Sequence, residues 1–118
     1  RGNPHFHVLV GRDTLIFPAL CCGAAGAIAS CANVAPKVAV AIYNRFVAGD
    51  YKGALEAQFQ FTPIRLACSM GSFPAVIKEG LRQEGIDVGK CADPIQELNP
   101  DEKKRLHRVL VEASLIAE

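Results

Sequence analysis

The sequence predicts an α/β fold made of one strand-helix-strand unit followed by helices alone. Three observations predict it. His5 to Val10 (HFHVLV) is an apolar, β-rich run closed by Gly11, where a strand would hand over to a helix. Ala27 to Cys31 (AIASC) is a second run of strand length, reached across a helix-sized segment and a turn through Gly23 and Gly26. From Pro36 onward, apolar residues recur at helical spacing between recognisable starts and stops.

The totals narrow the functional classes. At 118 residues, with 50% of them hydrophobic, the chain is long enough for one domain with a real core and too apolar for disorder. Thirteen Lys and Arg against twelve Asp and Glu give a formal net charge of +1, which offers no attraction for nucleic acid or an anionic membrane. Arg12, Asp13, Lys37 and Arg45 interrupt the apolar first half. No run therefore reaches the roughly 20 residues that cross a bilayer, and a soluble protein is expected. The five cysteines, Cys21, Cys22, Cys31, Cys68 and Cys91, include no CxxC pair and no His at ligand spacing. They read as reduced, buried, structural thiols of a cytoplasmic protein, with a metal site or a reactive thiol as the alternative. The chain starts at Arg1 and has Met70 as its one methionine, so it reads as the back part of something longer.

In chain order, Arg1 to Pro4 (RGNP) is a turn-like lead-in to the first strand. Asp13 and Thr14 are both plausible N-caps for a helix through Leu15, Ile16, Ala19 and Leu20, with Pro18 near its first turn and Gly23 as its stop. In Ala27 to Cys31, Ile28 is the one large side chain among small ones, which suits a strand approached closely by backbone or ligand. A crossover of this length makes the two strands parallel. Parallel strands need neighbours and cover on both faces, and nothing after Val34 has convincing strand character. The missing strands are expected in an upstream part or a partner chain.

Pro36 fits a first helical position, Val38, Ile42 and Phe46 follow at spacings of four, and Gly49 ends that helix. Asp50 caps the next, in which Leu55, Phe59, Thr62 and Leu66 form a stripe and Pro63 should kink or split the helix. Ser72 opens a third, with Phe73, Ile77 and Leu81 on one face and Gly85 at the stop. Ile86 to Leu98 is a connector. Asn99, Pro100 and Glu102 then combine a cap, a first-position proline and an acid able to reach back, starting a helix whose stripe is Leu106, Val109, Leu110, Ala113 and Ile116.

Chemistry is harder to find. Gly11, Arg12 and Asp13 lie at the C-terminal end of a parallel strand, the edge where α/β sheets and barrels carry their sites; a tight turn with a capping Asp13 and a solvated Arg12 would look the same. Ser30 and Asn33 reach the same edge, although Asn33 could equally cap the following helix. Gly23 to Gly26 lacks phosphate-loop spacing and precedes a strand, so it reads as a helix stop. His5 and His7 share a strand face without a carboxylate or cysteine at ligand spacing. His107, Lys52 and Lys78 read as surface residues. No nucleophile and no general base emerges.

The same residues carry a resemblance. VLVGRDTLIFPALCCGAAGAIASCANVAP, from Val8 to Pro36, resembles the strand-seven to strand-eight region of the dihydrodipicolinate synthase / N-acetylneuraminate lyase family, with its Gly-x-Asp, Gly-Ala-x-Gly-x-Ile-x-Ser and Ala-Asn-Val-x-Pro segments. The AGD at Ala48 to Asp50, the Phe-Pro-x-x-x-Lys at Phe73 to Lys78, the connector with Cys91 and Pro94, and the Asn-Pro-x-Glu helix start resemble that family too. The resemblance implies the last two βα units of a (β/α)8 TIM barrel over residues 1–48 and a C-terminal helical region over 49–118. It implies class I aldolase chemistry on pyruvate or another 2-oxo acid with an aldehyde, no cofactor and no metal, and a homo-oligomer, a tetramer by family. The Schiff-base lysine on strand six and the proton-shuttling tyrosine on strand four would both lie upstream, leaving no catalytic residue in this chain. Gly11 matches the glycine beside the Schiff base, and Ile28 the residue packed over the keto acid. Asp13 and Ser30 match positions that hold hydroxyls of the longer substrate in the sialic acid lyases. Arg12 stands where an acidic or neutral residue is frequent, which would suit a more anionic second substrate. Ser69 to Phe73 (SMGSF) replaces the Glu-Pro-Asn-Pro signature of genuine dihydrodipicolinate synthases, shifting the expectation toward the family's other keto-acid aldolases. A reading of a different class is a non-catalytic fragment or interaction module that completes a barrel with a partner chain, favoured by the strand edge at Phe6 to Val10.

Overall fold

A computed structural model describes Asn3 and residues 5–117. Of the lead-in, Arg1, Gly2 and Pro4 lie outside the described residues; Asn3 accepts the Phe6 amide at 3.2 Å through its carbonyl.

Seven regular elements follow: β1 (Leu9–Val10), α1 (Ile16–Cys21), β2 (Gly26–Ala27), α2 (Pro36–Val47), α3 (Tyr51–Ala67), α4 (Ala75–Gln83) and α5 (Pro100–Glu112). The strands pair in parallel, Leu9 with Gly26 and Val10 with Ala27. The Ala25 amide donates to Val8 and the Ile28 amide to Val10, each at 2.9 Å. The strand-helix-strand unit is therefore present, but both strands are shorter than predicted. A strand needs a partner along its length, and among the described residues each has only the other. The second run ends at Ala27 because Ser30–Asn33 closes into a tight 3-10 turn. Asp13 Oδ1 accepts the Cys31 amide at 2.8 Å, and Asn33 Nδ2 donates to the Ser30 carbonyl at 2.9 Å. Neither Asp13 nor Thr14 caps a helix: Asp13–Leu15 is itself a 3-10 turn leading into α1 without a side-chain cap. Asn33 does not cap α2 either, whose N-cap is Ala35.

Local chemistry sets most helix limits. Pro36 starts α2, and Gly49, at φ +82°, ends it in a left-handed conformation that suits glycine. The Gly53 amide donates to Asp50 Oδ1 at 2.9 Å, capping α3. That helix runs through Pro63 unbroken. α4 starts at Ala75, three residues later than expected, leaving Phe73 58% exposed. At α5 the predicted capping box is complete, with Asn99 Oδ1 accepting the Glu102 amide at 2.9 Å and Glu102 Oε2 accepting the Asn99 amide at 2.8 Å. Replacing Asn99 with alanine is expected to cost about 1 kcal/mol, read as an earlier urea midpoint.

One apolar cluster extends from Ile16 to Ala113 and includes Ile42, Phe61, Ile64, Val76 and Leu110, all below 2% exposure. It crosses residues 48 and 49 without a break. α3 lies at its centre, packed most extensively on α2. The predicted stripe on α3 is the wrong face. Phe59 and Leu66 point outward at 65% and 59% exposure, while Ala54, Ala57, Phe61, Ile64 and Ala67 face the core. The small alanines let α2 approach, and that approach selects the buried face. The cysteines divide as well: Cys31 and Cys68 are buried, Cys91 is half-buried, and Cys21 and Cys22 are exposed, contrary to expectation, because the α1 terminus runs out to the surface at Gly23.

Candidate functional site

The candidate site is the C-terminal end of the strand pair. Extending the observed register by one residue sets Gly11 beside Ile28, whose amide already bonds to Val10. Both are exposed, Ile28 to 72%. Among the described residues, a Cβ on Gly11 would meet nothing within 4 Å. Arg12 is exposed in extended backbone, with its Nε 3.4 Å from Thr14 Oγ1. Ser30 is half-buried at the first position of the turn after β2.

Asp13 departs from its expected role. It is 1% exposed, and both carboxylate oxygens turn into the protein. Oδ1 accepts the Cys31 amide, and Oδ2 lies 3.7 Å from Arg65 Nε. A carboxylate engaged this way holds the chain. It ties the Gly11–Asp13 corner to the Ser30–Asn33 turn, so the two halves of the open edge move together.

The corner is also held from the helical region. Gln58, 3% exposed, donates through Nε2 to the Asp13 carbonyl at 3.0 Å and accepts the Phe17 amide on Oε1 at 2.9 Å. Thr62 Oγ1 fixes its orientation, donating to the Gln58 carbonyl at 2.8 Å and standing 3.2 Å from Gln58 Nε2. Each such buried bond stabilises modestly when made and costs about 1–3 kcal/mol when one partner is lost. Gln58 and Arg65 were not singled out from the sequence. The available signal is a glutamine and an arginine seven residues apart, and so on one face of a helix.

A second polar group pins α4 to α5. Glu79, 6% exposed, meets Arg82 Nη1 at 2.6 Å, Gln83 Nε2 at 3.1 Å and Lys103 Nζ at 3.5 Å. Burial pushes its carboxyl up, but these donors and the Lys103 charge outweigh burial and leave it below the ordinary carboxylate range. Lys78, expected on the surface, is half-buried and bonds the carbonyls of Val88 and Lys90 at 3.2 and 2.8 Å. It fastens the connector. His5, His7 and His107 are exposed, and the two former lie outside β1. Among the described residues, no three His, Cys, Asp or Glu side chains converge as a metal cluster. No helix among them is long and apolar enough to cross a membrane.

Beside β2 runs a cleft of about 410 Å³, lined by Leu9, Ile16, Ala27, Ala39, Val40 and Tyr43 among others. Phe6, Val8 and Leu9 are exposed at the first strand's edge, and Val40 and Tyr43 on α2. Apolar surface on that scale, next to a strand pair lacking further neighbours, marks a face built to be covered.

The Dihydrodipicolinate synthetase family model matches residues 1–113. The chain belongs to that family. It is 32% identical over 115 residues to an uncharacterized DapA-like lyase of Halobacterium salinarum, covering 98% of this chain and 38% of the relative. It is 33% identical over 112 residues to the 4-hydroxy-tetrahydrodipicolinate synthase of Archaeoglobus fulgidus, covering 95% and 39%. Among solved structures it superposes with a TM-score of 0.90, at 30% identity, on YagE, a prophage protein of the dihydrodipicolinic acid synthase family from E. coli K12 in complex with pyruvate. That superposition covers 96% of this chain and 39% of YagE. A second, with KD(P)GA from T. tenax, has a TM-score of 0.82 at 28% identity and covers 94% and 39%. The chain thus spans less than two-fifths of these relatives, and its fold is that of a piece of a dihydrodipicolinate synthase-family barrel with its helices.

Proposed function

We propose that this chain is the part of a Schiff-base lyase that walls the 2-oxo-acid pocket. Residues 1–48 would supply strands seven and eight with their helices, and 49–118 the C-terminal helical region. The observation that carries this reading is the open parallel pair, with Gly11 and Ile28 side by side at its C-terminal end and apolar surface along its free edges. The C-terminal edge is where barrels place their chemistry. The glycine leaves room for a small keto acid to reach the backbone, and Ile28 supplies an apolar lid. Ser30 is available to a hydroxyl of the second substrate, and the exposed Arg12 to an anionic group on it. Asp13 is a positioning residue.

The lysine that forms the Schiff base and the tyrosine that moves protons belong to the upstream barrel portion. The substrates are pyruvate or another 2-oxo acid and an aldehyde, and the assembly is a homo-oligomer working in the cytoplasm. The complete polypeptide, incubated with pyruvate and sodium borohydride, is expected to gain the mass of one reduced pyruvate on a lysine upstream of Arg1. Without that adduct the enzymatic reading fails. The reading of a non-catalytic module that completes a barrel would then stand, since the same uncovered strand edge supports it.

A further inference from the structure

Outside the pocket wall, the structure brings together two thiols that the proposed chemistry does not use. Cys31 lies in the turn after β2 and Cys68 is the C-terminal cap of α3, 37 residues away, yet their sulfurs are 3.5 Å apart. They are 0% and 7% exposed. A disulfide needs the sulfurs at about 2.05 Å, so the pair is in contact and must close further to bond. Cys21, Cys22 and Cys91 have no such partner among the described residues.

We propose that Cys31 and Cys68 are a reversible oxidation site, closing to an intramolecular disulfide in the presence of a peroxide. The surroundings suit the chemistry. The Cys31 amide bonds the buried Asp13 carboxylate, and the Cys68 thiol lies 3.5 Å from the Ile64 carbonyl. The hydrogen bond from Cys31 and the Arg65 charge hold the Cys68 thiol below its usual range against burial, while the Cys31 thiol is pushed up. Cys68, 7% exposed against 0% for Cys31, is the sulfur of the pair open to peroxide and so the attacking one, with Cys31 resolving.

The Cys68 thiolate attacks one oxygen of hydrogen peroxide. A sulfur–oxygen bond forms, the oxygen–oxygen bond breaks, and the departing hydroxide takes a proton to become water. Cys31 then attacks the sulfenic sulfur of Cys68, forming the disulfide; the Cys31 proton leaves with the sulfenic hydroxyl as a second water. Two thiols are oxidised by two electrons, and one peroxide is reduced to two waters. The new bond joins the turn that follows Ile28 to the end of α3, closing a long loop of chain whose freedom in the unfolded state it removes.

The test uses the complete polypeptide treated with hydrogen peroxide, then unfolded, alkylated and digested. The expected product is a peptide pair joined through Cys31 and Cys68, lighter by two hydrogens than the sum of its parts. It is accompanied by a rise in Tm of about 5–10 °C that dithiothreitol reverses. The Cys31→Ala and Cys68→Ala variants should show neither the joined pair nor the dithiothreitol-reversible rise. Should either variant fail to fold, the digest of the unsubstituted protein decides alone. Recovery of Cys31 and Cys68 as separately alkylated peptides after peroxide, or joining only at Cys21, Cys22 or Cys91, overturns the proposal.

Discussion

Replacing Asp13 with alanine in the complete polypeptide is expected to lower both stability and turnover. The stability loss comes from the Cys31 amide, which is buried and would have no acceptor, at about 1–3 kcal/mol. The Arg65 contribution is smaller. At 3.7 Å, with 30% of the Arg65 side chain in water, that pair adds under about 1 kcal/mol. The turnover loss follows from geometry. Releasing the Ser30–Asn33 turn lets the wall carrying Ile28 drift, and a displacement near 1 Å at a reacting site costs about 100-fold in rate. Asp13→Asn separates the two contributions, because its amide oxygen still accepts from Cys31 while its charge is gone. Urea unfolding and kcat/KM on both variants are the measurements. The alanine variant should lose most of the activity and the asparagine variant well under 10-fold; equal damage in both would mean that charge, rather than the hydrogen bond, holds the corner.

The second large effect is expected at Phe61. Its ring is 0% exposed and belongs to the one apolar cluster that spans the strand unit's helix and the helical region. Alanine there removes the ring and leaves a cavity that packed helices close only in part, at a cost of about 3–5 kcal/mol. That is a large fraction of the total stability of a typical domain. Phe61→Leu retains most of the volume and should cost less than about 2 kcal/mol. Thermal unfolding of both variants checks the ratio. A small effect from Phe61→Ala would mean that the helical region repacks easily and does not brace the strands.

What the sequence reveals here is chemistry that acts over a few residues. Asn99, Pro100 and Glu102 start a helix through contacts within one turn, and Gly49 and Gly85 stop helices by a conformation that glycine alone adopts cheaply. The parallel pairing of the two strand runs is legible from the length of the crossover that joins them. The face of α3 is not. Phe59 and Phe61 are equally apolar, and only the approach of α2 decides which is buried. Asp13 is a further case. Next to Thr14 before an apolar run it reads as a cap, and nothing local tells that the Cys31 amide waits 18 residues on to take the same oxygen. The Cys31–Cys68 contact is invisible for the same reason.

Gln58 has an implication for recombination. Its amide group holds the corner after β1 from a helix that lies beyond residue 48, with Arg65 about two turns further along the same face. A chimera spliced between residues 48 and 49 would therefore exchange half of a matched lock. Relatives could trade their helical tails freely only if the tail brought its own glutamine and arginine to a corner shaped to receive them. The tail is in that sense a template for the rim.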